Sequence, residues 1–174
     1  MLRIGLLVAA GLALVGCVAQ RAPETPSFYR DLGRSSQEQV DVAMAARLVS
    51  GHRRNHGLGP VEPDARLSAV AQRVALEMAR ADDVRVASGL GPVGQRVAGV
   101  GYRTRIVDEN VSAGYRTLAE AFSGWRASRP HDAVMRLPGA TRLGIATVTR
   151  PDSRFRVYWA LVMAGPDEAT PPGR

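Results

Sequence analysis

Apolar residues at Leu67, Val70, Ala71, Val74 and Met78 fall at i, i+3, i+4, i+7 and i+11, one continuous stripe of an α-helix. Asp64, directly after Pro63, offers a side-chain oxygen to the first free amides and sets that helix's start. Upstream, Val40, Ala43, Met44 and Leu48 repeat with a similar period. Ser35 with Glu38 three residues on predicts a capping box there, and Gly57 predicts the stop. A third stripe, Leu118, Ala121, Phe122 and Trp125, predicts an inward-packed helix from Thr117 to about Ser128. Between the last two lie glycines at 89, 91, 94, 99 and 101 and Pro92, which predict a loop rim with one short helix around Gln95 to Val100. The period then falls to two: Leu143, Ile145 and Thr147 alternate with Gly144, Ala146 and Val148. Arg150-Pro151-Asp152-Ser153 turns the chain into Phe155 to Met163, rich in β-formers, and the pair reads as an antiparallel hairpin. Arg105 to Val111 supplies a third strand, so the expected fold is α+β: a three-layer α-β-α sandwich whose small, mainly antiparallel sheet is flanked by helices.

The amino-terminal pattern is of another kind. Met1-Leu2-Arg3 is followed by 12 apolar residues, Ile4 to Val15, and then by Gly16-Cys17. As a helix that run spans only ~18 Å at ~1.5 Å per residue, too short for a ~30 Å hydrocarbon core. It reads as a leader, and Leu14-Val15-Gly16-Cys17 looks like a bacterial lipoprotein signal with Cys17 as the lipidated residue. Val18 stands where an aspartate would resemble an inner-membrane retention signal, which by analogy points to the outer membrane, facing the periplasm. The organisation follows: signal peptide 1–16, lipidated tether 17–35, a domain over 36–165 and a flexible tail 166–174.

Composition narrows the chemistry. With 45% hydrophobic and 22% charged residues the chain is neither disordered nor collagenous, and a mature 158 residues bury a core without disulfides or a structural metal. One cysteine and three histidines exclude Cys/His zinc clusters. All 23 basic residues are arginines, scattered singly, and Arg53-Arg54 reads as a solvated helix face; nucleic acid is not an expected partner. Ser88 lies among glycines, but no Gly-x-Ser-x-Gly surrounds it, and Gly89 to Gly94 lacks the Lys-Ser or Lys-Thr of a phosphate loop.

Leu48-Val49 through Arg53, His56-Gly57-Leu58, Asp64, Leu67 and Ala71 open an ordered series of landmarks. Gly101-Tyr102, Asp108-Glu109-Asn110-Val111, Trp125 with Ser128-Arg129-Pro130-His131, Leu143-Gly144-Ile145-Ala146 and Tyr158-Trp159 continue it. The series, over roughly residues 40 to 165, resembles the CAP superfamily, the cysteine-rich secretory, antigen 5 and pathogenesis-related proteins with their bacterial SCP-like domains. The resemblance implies an α-β-α sandwich and a cleft lined by two histidines and acidic residues, metal-capable in many members. Glu109 matches the glutamate of the Glu-Asn-Ile-like motif and His131 the histidine after the tryptophan helix; Glu120, five residues before Trp125, is a secondary match. The other family histidine is missing, since its region reads Val86-Ala87-Ser88-Gly89 and no histidine occurs from 57 to 130. The usual Gly-His-Arg-x-Asn run has become Pro130-His131-Asp132-Ala133-Val134.

His131 and Glu109 are therefore expected to face each other in a ligand cleft with Glu120 and Ser88, without a metal and without a cofactor, because two ligands leave zinc under-coordinated. His52 and His56 read as packing and capping residues of the first helix. The functional expectation is a monomeric, envelope-anchored, non-enzymatic domain that binds a lipid, another small apolar ligand or an envelope partner through that cleft or a groove beside it. The alternative is a metal-assisted or acid-base hydrolase of peptide or cell-wall material, with His131, Glu109 and Glu120 as its candidate catalytic residues.

Overall fold

A computed structural model describes residues 25–169; the leader, Cys17, most of the tether and residues 170–174 lie outside them. Its elements run α1 (Val42–Arg54), β1 (Glu62–Pro63), α2 (Ala65–Ala81), α3 (Val93–Ala98), β2 (Val107–Ala113), α4 (Leu118–Ala127), α5 (Arg129–Met135), β3 (Arg142–Thr149) and β4 (Val157–Ala164). Short 3-10 turns at Ser27–Tyr29 and Val84–Leu90 complete the order. The sheet reads β1-β3-β4-β2, with β4 antiparallel to both neighbours and β1 parallel to β3.

All eight residues of β4 are buried, because the strand is internal and both faces are covered. Val157, Trp159, Leu161 and Met163 join the core under α1, α4 and α5, with Val49, Trp125 and Met135. Tyr158, Ala160, Val162 and Ala164 alternate with them into the second core, against Val70, Val74 and Met78 of α2. The expected sandwich is thus present. Gly144 sets its spacing: a Cβ there would stand 2.1 Å from the Leu67 carbonyl carbon and the Ser68 nitrogen, so α2 lies directly on the β3 backbone. Asp64 caps α2 as expected, accepting from the Arg66 and Leu67 amides.

Several boundaries differ from the sequence reading, each for a local reason. Ser35 closes a turn, its hydroxyl accepting from Gln37, while Val40 is buried and its amide donates to the Thr147 hydroxyl. Helix α1 therefore starts later, capped by Asp41 through the Met44 amide. The end of the expected tether is part of the fold: Leu32 is buried, its amide donates to Arg116 O at 2.8 Å, and its carbonyl accepts from Thr149. The start of the expected tail is also held, with Asp167 accepting from the Arg103 amide and pairing with Arg66 at 2.8 Å. Arg53 is not solvated. It is 1% exposed and donates to four carbonyls, those of Gly59, Met135, Leu137 and Ala140, at 2.8 to 3.0 Å.

Candidate functional site

Strand β2 carries the motif around Glu109, and its pleat decides what that glutamate meets. Glu109 pairs in register with Val162, which faces α2, whereas Asn110 pairs with Leu161, which faces α4 and α5. Glu109 accordingly reaches α3, where Arg96 grips it with both guanidinium nitrogens: Nη1 donates to Oε2 at 3.0 Å and Nη2 to Oε1. The side chains are only 11% and 20% exposed. A bidentate, largely desolvated pair of this kind holds both carboxylate oxygens.

The backbone of His131 lies on the side of the sheet that Asn110 faces. The residue sits in the first turn of α5, and its backbone carbonyl accepts from the Asn110 amide side chain at 2.9 Å. Adjacent residues of one strand thus serve opposite layers, Glu109 toward Arg96 of α3 and Asn110 toward the backbone of α5. Glu120 is a capping residue, its carboxylate accepting from the Arg116 and Thr117 amides while the Thr117 hydroxyl accepts from Glu120 N. Ser88 lies exposed in the 3-10 turn, donating to Arg85 O at 2.7 Å. Glu120 and Ser88 are thus each engaged by their own segment, the one at the start of α4 and the other in the 3-10 turn.

Two of the residues that do converge, His52 and His56, are ones the sequence reading assigned to packing and capping. His52 Nε2 lies 2.6 Å from Asp132 Oδ1, at side-chain exposures of 8% and 15%, joining the end of α1 to the start of α5. Arg136 meets the other Asp132 oxygen at 2.8 Å. The His56 ring packs edge-on against His52, with Nδ1 2.9 Å from His52 O, and Phe122 closes the other side. His56 therefore caps α1 as expected, and His52 is packed but also ion-paired. The one available signal was Asp132, which replaces the arginine after the family histidine. The pair supplies a buried acid-base couple and a tie between helices. No hydroxyl or thiol is bonded to it among the described residues.

A family-type divalent cation does not fit these residues. Glu109 is occupied by Arg96, and no cluster of three His, Cys, Asp or Glu among the described residues is arranged to hold an ion. What adjoins the Glu109–Arg96 pair instead is an open groove of about 460 Å³, with Val70, Val74, Leu76 and Leu90 beside the charged Arg73, Glu77, Arg80 and Arg96. A wider, shallower one of about 580 Å³ lies between α1 and β1, over Ala46 and Val61 with Arg47 and Arg54 at its rim. No described helix is long and apolar enough to cross a membrane.

Comparison with known proteins agrees with this architecture. An outer surface protein of Borrelia burgdorferi superposes with a TM-score of 0.59 at 13% identity, over 74% of this chain and 97% of that one. An extracellular protein containing an SCP domain from Bacillus anthracis gives 0.60 at 19% identity, over 71% of this chain but only 39% of that longer one. A venom allergen-like protein of Schistosoma mansoni gives 0.50 at 10% identity, covering 76% and 91%. Among curated proteins, no sequence matches. At these identities the likenesses establish the fold alone. The sequence itself matches the CAP, or cysteine-rich secretory protein, family over residues 46–163, and the chain belongs to that family.

Proposed function

We propose that the protein is an exported, lipid-anchored CAP domain of the bacterial envelope that binds a lipid or another small apolar ligand and performs no hydrolysis. The non-catalytic part rests on one observation: Arg96 holds both oxygens of Glu109, so that carboxylate is available neither as a base nor as a metal ligand. The binding part is supported by the groove beside the pair, whose size and mixture of apolar wall and charged rim suit a small amphipathic molecule. Anchoring is supported by the lipobox pattern ending at Cys17 and by surface and extracellular proteins among the structural relatives.

The test of binding is titration of the purified protein with the apolar fluorophore anilinonaphthalene sulfonate. Saturable uptake that Leu90→Arg abolishes, in a variant that melts like wild type, supports the reading; uptake indifferent to Leu90→Arg counts against the groove. The acid-base hydrolase alternative is favoured by one feature, the buried His52–Asp132 couple. It requires hydrolysis of peptide or cell-wall material that is lost in His52→Gln and unaffected by added metal.

A further inference from the structure

Among the described residues, Tyr29 is the one large hydrophobic side chain left exposed, at 57%. It is not loosely held. Its 3-10 turn, Ser27–Tyr29, packs against α4 and α1, with Phe28 against the core and its ring 4.1 Å from that of Tyr29. Ser27 Oγ donates to Asp41 at 2.6 Å, and Leu32 is pinned by Arg116 O, so the turn is tied down on both sides. The flanking charge is basic. Arg30 is exposed with no carboxylate partner among the described residues, and Arg34, 78% exposed, reaches only to 3.8 Å from Asp31. The Asp31 charge is already taken by Arg116, through Nε at 3.0 Å and Nη2 at 2.7 Å.

We propose that this turn, with Tyr29 at its tip and Arg30 and Arg34 beside it, is the surface by which the domain sits on an anionic lipid bilayer. The inference rests on the reading that Cys17 carries acyl chains. Two features select a bilayer as the occupant. From Cys17 to Thr25 the chain has eight residue steps, at most about 29 Å whatever its path, so the turn stays close to the anchoring plane. A phenol presented from a rigid backbone, with an apolar body and a polar tip, suits the headgroup region, and two exposed guanidinium groups complement phosphate charge. The acyl chains then hold the protein in the membrane, and the turn orients it, directing the opposite end of the sandwich away from the lipid.

The test uses the full chain, matured in its host, extracted and reconstituted into vesicles of phosphatidylcholine and phosphatidylglycerol with brominated acyl chains. Tyr29→Trp places an indole at the tip, whereas Trp125 and Trp159 are buried and shielded from the quencher. The expected result is several-fold stronger bromine quenching of Tyr29→Trp than of wild type, most of it lost when Arg30→Glu and Arg34→Glu are added. Quenching no greater than wild type, or indifferent to the arginine changes, overturns the proposal. The mass of the N-terminal peptide reports acylation of Cys17 independently. If Cys17 is unmodified, the anchoring reading fails, and the same proteins are added to preformed vesicles instead. Phosphatidylglycerol-dependent binding weakened several-fold by Tyr29→Ser then still supports the surface, and no binding overturns it.

Discussion

The Arg96 guanidinium and the Glu109 carboxylate are each mostly out of water, so removing either strands the other. Glu109→Gln and Glu109→Ala should both lower stability, by roughly 1 to 3 kcal/mol after allowance for partial exposure, in urea unfolding. A glutamate kept for chemistry would behave differently, with Glu109→Gln as stable as wild type or more so. Arg53 makes a stronger case. Its four carbonyl acceptors lie in the loop after α1, at the last residue of α5 and between α5 and β3, and burial lowers the pKa of its guanidinium. Arg53→Lys keeps a charge but not the planar fork, and Arg53→Met leaves every acceptor unpaired. Both should cost several kcal/mol by the same measurement, at about 1 to 3 kcal/mol per orphaned group. Neither role was legible beforehand. A run of two arginines looks alike whether solvated or buried, and motif order does not say that Glu109 points toward Arg96 of α3.

At the scale of elements, the legible parts were those with long, regular patterns. Helix α2 follows from its stripe and Asp64, and the β3–β4 hairpin from alternation and its Pro-Asp turn. The elements missed were short or disguised. β1 has two residues, one of them proline, and exists because Glu62 N and Asp64 N donate to Thr141 O and Leu143 O. α5 has seven residues and opens on Arg129-Pro130, a pattern shared by loops, yet proline is well tolerated in a first helical turn. The false capping box at Ser35 lost to Val40, whose burial requires extended chain there. Gly144 gives the element-scale prediction. Gly144→Ala forces α2 off β3, because the nearest atoms are backbone and cannot swing aside. It should cost more, by thermal melt, than Asp64→Ala, which removes a cap worth about 1 kcal/mol. Equal losses would mean that the α2–β3 contact yields easily.

At the scale of the whole molecule, several carboxylates stitch distant segments and hold protons weakly. The Arg116 guanidinium lowers the pKa of Asp31, the Ser27 hydroxyl and the Met44 amide that of Asp41, and the Tyr158 hydroxyl that of Asp82. Depressed values mean stability that is complete above the ordinary carboxylate value of 3.8 and lost as pH falls through the lower folded values. Melting temperature should therefore drop steeply below about pH 4. At the other extreme, burial pushes the Tyr102 phenol up to about 12 while its hydroxyl donates to Gly165 O. That contribution is intact below the ordinary phenol value of 10.0 and lost as pH rises toward 12, so phenolate absorbance for this tyrosine should appear together with unfolding.

The central claim of the proposed function is that Arg96 closes the Glu109 carboxylate to metal. Isothermal titration of the purified domain with zinc, at neutral pH, tests it most directly, with Arg96→Ala run beside wild type. The account predicts no stoichiometric uptake by wild type. Stoichiometric zinc that survives dialysis and disappears in Glu109→Gln would contradict it, because the carboxylate would then be a ligand and not the partner of Arg96.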